Sequence, residues 1–248
     1  RPVHDLITRI PKLQGVTPAI IDAGCGVGEA SKVLLERFPA AKLLCLDHDA
    51  ARLKQAQEDG ILSGRGFVSF ACQSAEDHFS DVAGPLYDLV FSNAALHWHP
   101  NVPDLLAKMF LRVRPGGILA VQLPDNQFLR GLYREAASEL GKSADALKIP
   151  TSVAKPSQYA SALLGSNCAS LDMWSTTFVH CLTGEDAVYK FMRNTYDGRQ
   201  AMGLDDIEDA CDDGSENAFQ ELYRQKCAAA YPPLEDGTTL LPFTRFFL

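Results

Sequence analysis

Short apolar runs alternate with longer amphipathic segments along the first half of the chain. The runs predict buried strands at residues 19–23, 41–47, 67–73, 87–92 and 118–123. The segments between them predict helices at 3–10, 29–37, 50–57 and 102–113, and a turn at 114–117. Apolar strands separated by helices are typical of a parallel sheet buried on both faces. The pattern therefore predicts an α/β, Rossmann-like fold.

The pattern changes after Asp125. Helices are predicted at 127–140, 156–164, 185–193 and 216–230, and strands at 171–182 and 240–248. Because ligands bind at the carboxyl ends of the strands in open α/β sheets, we interpret 126–170 as a helical insertion over that edge. The late strands predict a seven-stranded, mostly parallel sheet with helices on both faces and an antiparallel edge hairpin. We expect one domain over 1–248, divided at 1–125, 126–170 and 171–248.

Composition narrows the classes of partner. The chain has 248 residues, a net charge of −8 and a pI near 5.2, which disfavours a nucleic-acid partner or an anionic membrane surface. No apolar run reaches the length of a membrane span, and no signal peptide is visible. We therefore expect a cytoplasmic protein that is a monomer or a weak homodimer and binds neither nucleic acid nor membrane.

Neither the cysteines nor the acidic residues predict a metal site. The seven cysteines are scattered without a C-x-x-C pair, so we expect most of them to be reduced core residues. Residues 205–216 carry seven acids, but these do not fall at the ligand spacing of a calcium-binding EF-hand loop. A solvated surface loop is the better interpretation of this acidic segment.

A glycine-rich segment joins the first predicted strand to the helix at 29–37. Asp22 is followed by Gly24, Gly26 and Gly28, so backbone can approach a ligand closely here. A helix that begins directly after the loop offers N–H groups and a partial positive charge to an anionic group. The spacing is D-x-G-x-G-x-G rather than the dinucleotide pattern G-x-G-x-x-G. The segment predicts a cradle for a nucleotide-type cofactor.

Acidic residues near the end of the second predicted strand fit the same cofactor. Asp47 lies 19 residues after Gly28, where a carboxylate can accept hydrogen bonds from both ribose hydroxyls. The alternative role, capping the next helix, fits Asp49 better than Asp47. His48 packs at the adenine edge or points to solvent. Cys25 lies inside the cradle, but we do not expect it to be a nucleophile.

The motif D-x-G-x-G-x-G resembles the first motif of class I methyltransferases, whose fold is Rossmann-like and whose cofactor is S-adenosylmethionine. The resemblance implies that the glycine loop contacts this cofactor and that Asn93 and Ala94 line its methionine part. Ser74 and Ala75 stand where the family commonly has an acid for the adenine amino group, so adenine recognition uses backbone or Asp77. Methyl transfer would convert this cofactor to S-adenosylhomocysteine.

Further segments resemble the trans-aconitate methyltransferases in order along almost the whole chain. They are residues 93–98, 119–126 (LAVQLPDN), 155–159, 179–180, 229–237 (AAYPPLEDG) and 244–247. The resemblance implies methyl transfer to a carboxylate of trans-aconitate, a small polycarboxylic acid, giving a monomethyl ester. It also implies that Trp98 forms an apolar wall near the acceptor. His97 is either a general base or a residue that only packs.

Such a reaction needs few catalytic groups. A carboxylate is ionised at neutral pH and is already a nucleophile, so alignment and exclusion of water suffice, and no catalytic residue is certain. Carboxylates on the acceptor call for cations, and the arginine fork suits them best. The predicted substrate-binding residues are Trp98, Arg130, Arg193, Tyr196 and Arg199, with Arg134 as a further candidate.

Three other functions stay open at this stage. The acceptor could be another small acid, or a carbon or hydroxyl acceptor. An NAD-dependent oxidoreductase is disfavoured by the glycine spacing. A non-catalytic protein with a methyltransferase-like fold is disfavoured by the intact glycines and Asp47. Ser74 keeps that alternative open, and so does segment 194–200, which stands where the trans-aconitate methyltransferases typically have a glycine-rich turn with an arginine.

Overall fold

The structure is a computed structural model that describes residues 1–58, 60, 62, 67–125, 127–141, 154–195 and 218–248. The elements of its first half are α1 Pro2–Arg9, β1 Ala19–Ala23, α2 Glu29–Arg37, β2 Lys42–Asp47, α3 Ala50–Glu58, β3 Phe67–Cys72, α4 Ala75–Ser80, β4 Tyr87–Asn93, a 3-10 turn Leu96–Trp98, α5 Val102–Phe110 and β5 Val113–Asp125. Those of its second half are α6 Gln127–Glu139, α7 Pro156–Leu164, β6 Trp174–Thr183, α8 Ala187–Arg193, α9 Ala218–Ala230 and β7 Thr238–Phe247.

The strands form a seven-stranded sheet in the order β3-β2-β1-β4-β5-β7-β6. Neighbouring strands from β3 to β5 run parallel. Val121 of β5 and Leu248 exchange both backbone hydrogen bonds, at 2.8 and 3.0 Å, which is the pattern of an antiparallel pair. The predicted α/β, mostly parallel sheet is confirmed. The chain reverses its direction of strand addition between β1 and β4, so the ligand crevice is expected there.

The predicted turn at 114–117 is wrong, because these residues belong to β5. The helix before it ends at Phe110 rather than at 113. The β4–β5 register shifts between Tyr87 and Leu89, which absorbs the Pro-Gly-Gly sequence within the strand. A Cβ on Gly117 would lie 2.9 Å from the carbonyl oxygen of Asp88, so a glycine is needed for the strands to approach there.

The short helix α4 was not predicted from the pattern. Six residues are too few for a helical period to be visible in the sequence. Its first turn is instead defined by Ser74, whose hydroxyl accepts a hydrogen bond from the backbone N–H of Asp77 at 3.0 Å and so caps the helix. The 3-10 turn after β4 escaped prediction for the same reason.

By its internal contacts the chain forms two compact units, described here only for the residues given above. The first comprises 1–124, 153–175 and 245–248, and the second 125–152 and 176–244. Helix α6 belongs to the second unit and α7 to the first, so both contain part of the predicted insertion at 126–170. The predicted division of one domain at 125 and 170 stays a prediction, as does the position of the insertion over the active site.

Each unit has its own apolar core. In the first unit, one face of the sheet (Ile21, Val90 and Val121) packs in a cluster with residues of α5 and α7. In the second, α6, α8 and α9 pack around Tyr133 and Tyr223, whose rings stack at 4.0 Å between centroids. Asp22 lies on the opposite face of the first unit's sheet and is also fully buried.

The predicted location of the cysteines is only partly right. Cys25, Cys45 and Cys227 are buried and free, as expected, but Cys72 and Cys181 are exposed. Cys211 and the acidic segment 205–216 lie outside the described residues. Within the described part of the chain, none of the helices combines the length and apolar character needed to cross a membrane.

Candidate active site

The glycine loop is attached to the end of β2 by backbone hydrogen bonds. The N–H groups of Gly24 and Cys25 donate to the carbonyl of Leu46 at 2.7 and 3.0 Å. Gly24 has φ +80°, and a Cβ there would lie 2.2 Å from the Cβ of Ala95. Gly28, with φ +87°, is the N-cap of α2, and no side chain caps this end. The predicted position of the loop directly before the helix is confirmed, and its binding of a ligand there stays a prediction.

Asp47 is buried at the end of β2 and holds the loop from the other side. One carboxylate oxygen accepts from the N–H of Gly26 at 2.8 Å, and the other accepts from the N–H of Asp49 at 3.0 Å. Each oxygen retains a second lone pair, which a ribose hydroxyl can use. Asp49, in turn, accepts from the backbone of α3 at 2.9 and 3.1 Å, so the expectation that Asp49 is the capping acid is confirmed. His48 is mostly exposed, with Nδ1 3.4 Å from Asp47 Oδ1.

Asp22 is fully buried below the loop. Burial raises its pKa to about 7, a hydrogen bond from Ser31 Oγ at 2.6 Å lowers it, and the negative charge of Asp47 raises it. Its other oxygen, Oδ1, has no hydrogen-bond partner among the described residues. Burial therefore favours the protonated form of Asp22.

Cys25 is unsuited to nucleophilic attack. A hydrogen bond with Cys45, together with burial, raises the pKa of its thiol, so the thiolate is disfavoured. Its Sγ donates to the carbonyl of Gly26 at 3.6 Å. The residue thus contributes backbone and bulk to the loop.

Strand β4 ends in an unusual turn. Ala94 has φ +55°, in the left-handed region that residues with a Cβ seldom adopt, and its N–H donates to the carbonyl of Gln122 at 3.0 Å. Strained backbone of this kind clusters at ligand sites. Trp98 is partly exposed nearby in the chain, whereas His97 is buried, with 5.5 Å between the two ring centroids. The burial of His97 favours its packing role over that of a general base.

Gln122 is the functional candidate that the sequence analysis missed. It pairs in register with Asn93, and one pleat earlier Asp22 is in register with Phe91, whose partner on β5 is Ala120. Because every second residue of a strand points to the same face, Asp22, Asn93 and Gln122 share one face of the sheet. Oδ1 of Asn93 and both polar atoms of the Gln122 amide have no hydrogen-bond partner among the described residues. A lone polar residue in the apolar run ILAVQL was the available signal.

The residues after β3, which are predicted to lie near the adenine, form hydrogen bonds and ion pairs that were not predicted. Ser74 donates to a carboxylate oxygen of Asp77 at 2.7 Å in addition to capping α4. Beside it, Glu76 binds Lys108 at 2.8 Å and contacts Nε2 of His99. The hydrogen bond from Lys108 and then that from His99 hold the pKa of Glu76 below its usual value. These bonds connect α4 to α5 and to the end of the 3-10 turn, which holds Ser74 and Ala75 in place.

Three of the predicted substrate arginines are described, and they lie in the second unit. Arg130 of α6 is buried, Arg193 of α8 is partly buried, and Arg134 is exposed. Tyr196 and Arg199 lie outside the described residues. Their roles as carboxylate ligands stay predictions, as do the cofactor roles of the residues in the first unit.

Known proteins are similar to this chain in fold and in sequence. The family model described as "Methyltransferase domain" matches residues 21–121. A solved structure of a Bacillus halodurans protein assigned as a methyltransferase has a TM-score of 0.62 at 15% identity, covering 99% of this chain and 96% of that one. Phosphoethanolamine N-methyltransferase 2 of Haemonchus contortus, solved with S-adenosyl-L-methionine, has a TM-score of 0.53 at 15% identity, covering 99% and 51%. This chain thus has the class I methyltransferase fold.

Sequence similarity identifies a family within this class of proteins. The trans-aconitate 2-methyltransferase of Methylobacterium nodulans is 35% identical over 254 residues, which cover 100% of this chain and 91% of the relative. The chain belongs to the family of trans-aconitate 2-methyltransferases. The resemblance seen in the sequence is confirmed.

Proposed function

We propose that this protein is an enzyme that methylates a carboxylate of trans-aconitate with S-adenosylmethionine, giving a monomethyl ester. The observation that carries the proposal is the similarity to a trans-aconitate 2-methyltransferase over the full length of the chain. The geometry of the first unit supports the cofactor, and the acceptor follows from the family.

The residues around the glycine loop fit S-adenosylmethionine. A Cβ on Gly24 would clash with Ala95, so this glycine lets the loop pack directly against the turn after β4. Asp47 offers lone pairs to the ribose hydroxyls, and the orphaned oxygen of Asn93 offers an acceptor to a donor on the methionine part. The glycine loop and the carboxyl ends of β2 and β4 thus offer groups that suit a cationic nucleoside.

The reaction needs alignment more than acid–base chemistry. When bound, S-adenosylmethionine supplies an electrophilic methyl group: an oxygen lone pair of the acceptor forms the bond to its carbon, and the carbon–sulfur pair leaves with sulfur. No proton moves, so buried His97 is not required as a base. The protein orients the carboxylate and excludes water, and the apolar ring of Trp98 suits a step in which opposite charges cancel.

Labelled S-adenosylmethionine tests the activity directly. Purified protein is incubated with trans-aconitate, cis-aconitate, citrate and itaconate, and ester is detected by transfer of label and by its lability in base. Turnover on trans-aconitate above the other acids supports the proposal. Binding of S-adenosylhomocysteine without turnover on any of these acids contradicts the proposed acceptor but not the cofactor.

We also infer a cytoplasmic enzyme, monomeric or weakly dimeric, that acts on a free small molecule rather than on nucleic acid or a membrane surface. The net charge of −8 supports this inference, because it disfavours polyanionic partners. Light scattering across a concentration series measures the oligomeric state, and a tight oligomer at low concentration contradicts it.

A further inference from the structure

Gln122 of β5, which pairs with Asn93 at the carboxyl end of β4, has buried polar atoms that the cofactor contacts above do not use. Gln122 is 1% exposed, and both its amide nitrogen and its amide oxygen lack a hydrogen-bond partner among the described residues. Burying an amide in this way is costly unless a ligand or water satisfies it. The feature therefore points to a polar ligand group at this place.

The strand order indicates which ligand this is. From β2 the sheet continues through β1 and β4 to β5, so Asp47, the glycine loop, Asn93 and Gln122 follow one another across it. Adjacent strands lie about 4.8 Å apart, which separates β5 from β2 by about 14 Å. The ribose site at Asp47 and the methionine site at Asn93 come first in this series. Gln122 is the next position and lies on the acceptor side.

We propose that Gln122 binds the reacting carboxylate of the acceptor, with its Nε2 donating to one oxygen while the other attacks. This inference rests on the proposed function. The oxygen of the amide accepts from a water. In the transfer, the free oxygen forms the carbon–oxygen bond, the carbon–sulfur bond breaks toward sulfur, and no proton is exchanged.

A neutral donor suits this carboxylate better than an arginine. The carboxylate loses its negative charge as the ester forms, so a cation would stabilise the ground state more than the transition state. A neutral amide orients the oxygen and costs less of its nucleophilicity. Arginine is better placed on the carboxylates that do not react.

The test replaces Gln122 with methionine, which has a similar size and no amide. We expect kcat/KM for trans-aconitate to fall about 10- to 100-fold, the range for loss of one hydrogen bond to a charged group. The calorimetric Kd for S-adenosylhomocysteine should stay within about twofold of the wild-type value. The ligand-free variant should melt about 2–4 °C higher, because an unsatisfied buried amide has been removed.

Gln220→Met is the matched control, since Gln220 is 5% exposed on α9 and belongs to no proposed contact. It should leave kcat/KM within about twofold of wild type. Gln122→Glu keeps the size and polarity of the side chain but repels a carboxylate, so it should lose more activity than Gln122→Met while still binding S-adenosylhomocysteine.

The outcomes separate this proposal from the proposed function. Active wild type with an unaffected Gln122→Met variant overturns the role of Gln122 alone. An equal loss of S-adenosylhomocysteine affinity and of kcat/KM also overturns it, because Gln122 then serves the cofactor. A wild type that neither methylates nor binds trans-aconitate overturns both.

Discussion

The glycine loop and the neighbouring residues Asn93 of β4 and Gln122 of β5 differ in the hydrogen bonding of their buried polar groups. Around the loop, the N–H groups of Gly24 and Gly26 and the carboxylate of Asp47 are hydrogen-bonded within the protein. At the ends of β4 and β5, Asn93 Oδ1 and the Gln122 amide have no partner in the described part of the chain. Around the loop most buried polar groups are paired before a ligand binds, with Asp22 Oδ1 as an exception, whereas we propose that a ligand pairs the groups at the second region.

This difference teaches how the two halves of the site contribute to function. A hydrogen-bonded cradle is rigid before binding, so little ordering cost is incurred when the cofactor enters. Unsatisfied groups lower the stability of the free protein and favour whichever ligand restores their hydrogen bonds. In the proposed function, the loop and Asn93 serve affinity for the cofactor, and Gln122 serves selectivity for the acceptor.

Gly24→Ala should have the largest effect, because it disrupts the packing of the glycine loop. The added Cβ would lie 2.2 Å from Ala95 Cβ at φ +80°, so we expect a loss of about 3–4 kcal/mol in the free energy of unfolding. Urea denaturation measures this loss. Gly184→Ala is the control, since its φ is +95° with nothing within 4 Å, and should cost only about 1 kcal/mol. Equal losses at both positions would show that close packing of the loop is unimportant.

Asp22 makes the free energy of unfolding depend on pH. Its pKa is raised from 3.8 in the unfolded chain to about 7 by burial, so the folded state binds the proton more tightly. Its stabilising contribution is complete below pH 3.8 and is lost as the pH rises toward 7, in total roughly 2–4 kcal/mol. Unfolding free energies of wild type and Asp22→Asn at intervals from pH 4 to 8 measure it.

Ser31→Ala sharpens the same test. The Ser31 hydrogen bond lowers the pKa of Asp22, so its removal should move the loss of stability to higher pH. A wild-type pH profile parallel to that of Asp22→Asn over the whole range contradicts the role of Asp22.

Asp47→Ala separates ligand binding from folding within the cradle. We expect affinity for S-adenosylhomocysteine to fall by about 1–3 kcal/mol, because the ribose hydroxyls lose their acceptors. Asp49→Ala is the neighbouring control: it removes the cap of α3, at about 1 kcal/mol of stability, and should leave affinity nearly unchanged. Calorimetric titration measures both affinities, and an unchanged Kd in Asp47→Ala removes this residue from the ribose site.

Ser74→Ala should have the smallest effect. The cap of α4 is lost, and we expect about 1 kcal/mol less stability with a weaker effect on cofactor affinity. Thermal melts with and without S-adenosylhomocysteine report both quantities. If affinity falls more than stability does, Ser74 contacts the adenine directly rather than through the helix.

Local chemistry explains which parts of the site could be predicted. The glycines after β1 need a left-handed backbone, and Asp47 follows a recognisable apolar strand, so both leave a signal within a few residues. Ser74 follows β3 as predicted, but its role as the cap of α4 was not predicted, because this helix is too short to show a helical period in the sequence. The turn predicted at 114–117 failed because pairing with β4 overrides the local tendency of Pro-Gly-Gly.

By itself, the sequence determined the order of strands and helices, the cofactor loop and the family, because periodicity, glycine spacing and shared motifs are all written along the chain. Only the tertiary structure decided that Gln122 stands beside Asn93 on the face that holds Asp22. A one-residue change of register between β4 and β5 would turn that side chain to the other face. The physical reason is that register and burial depend on contacts between strands distant in sequence.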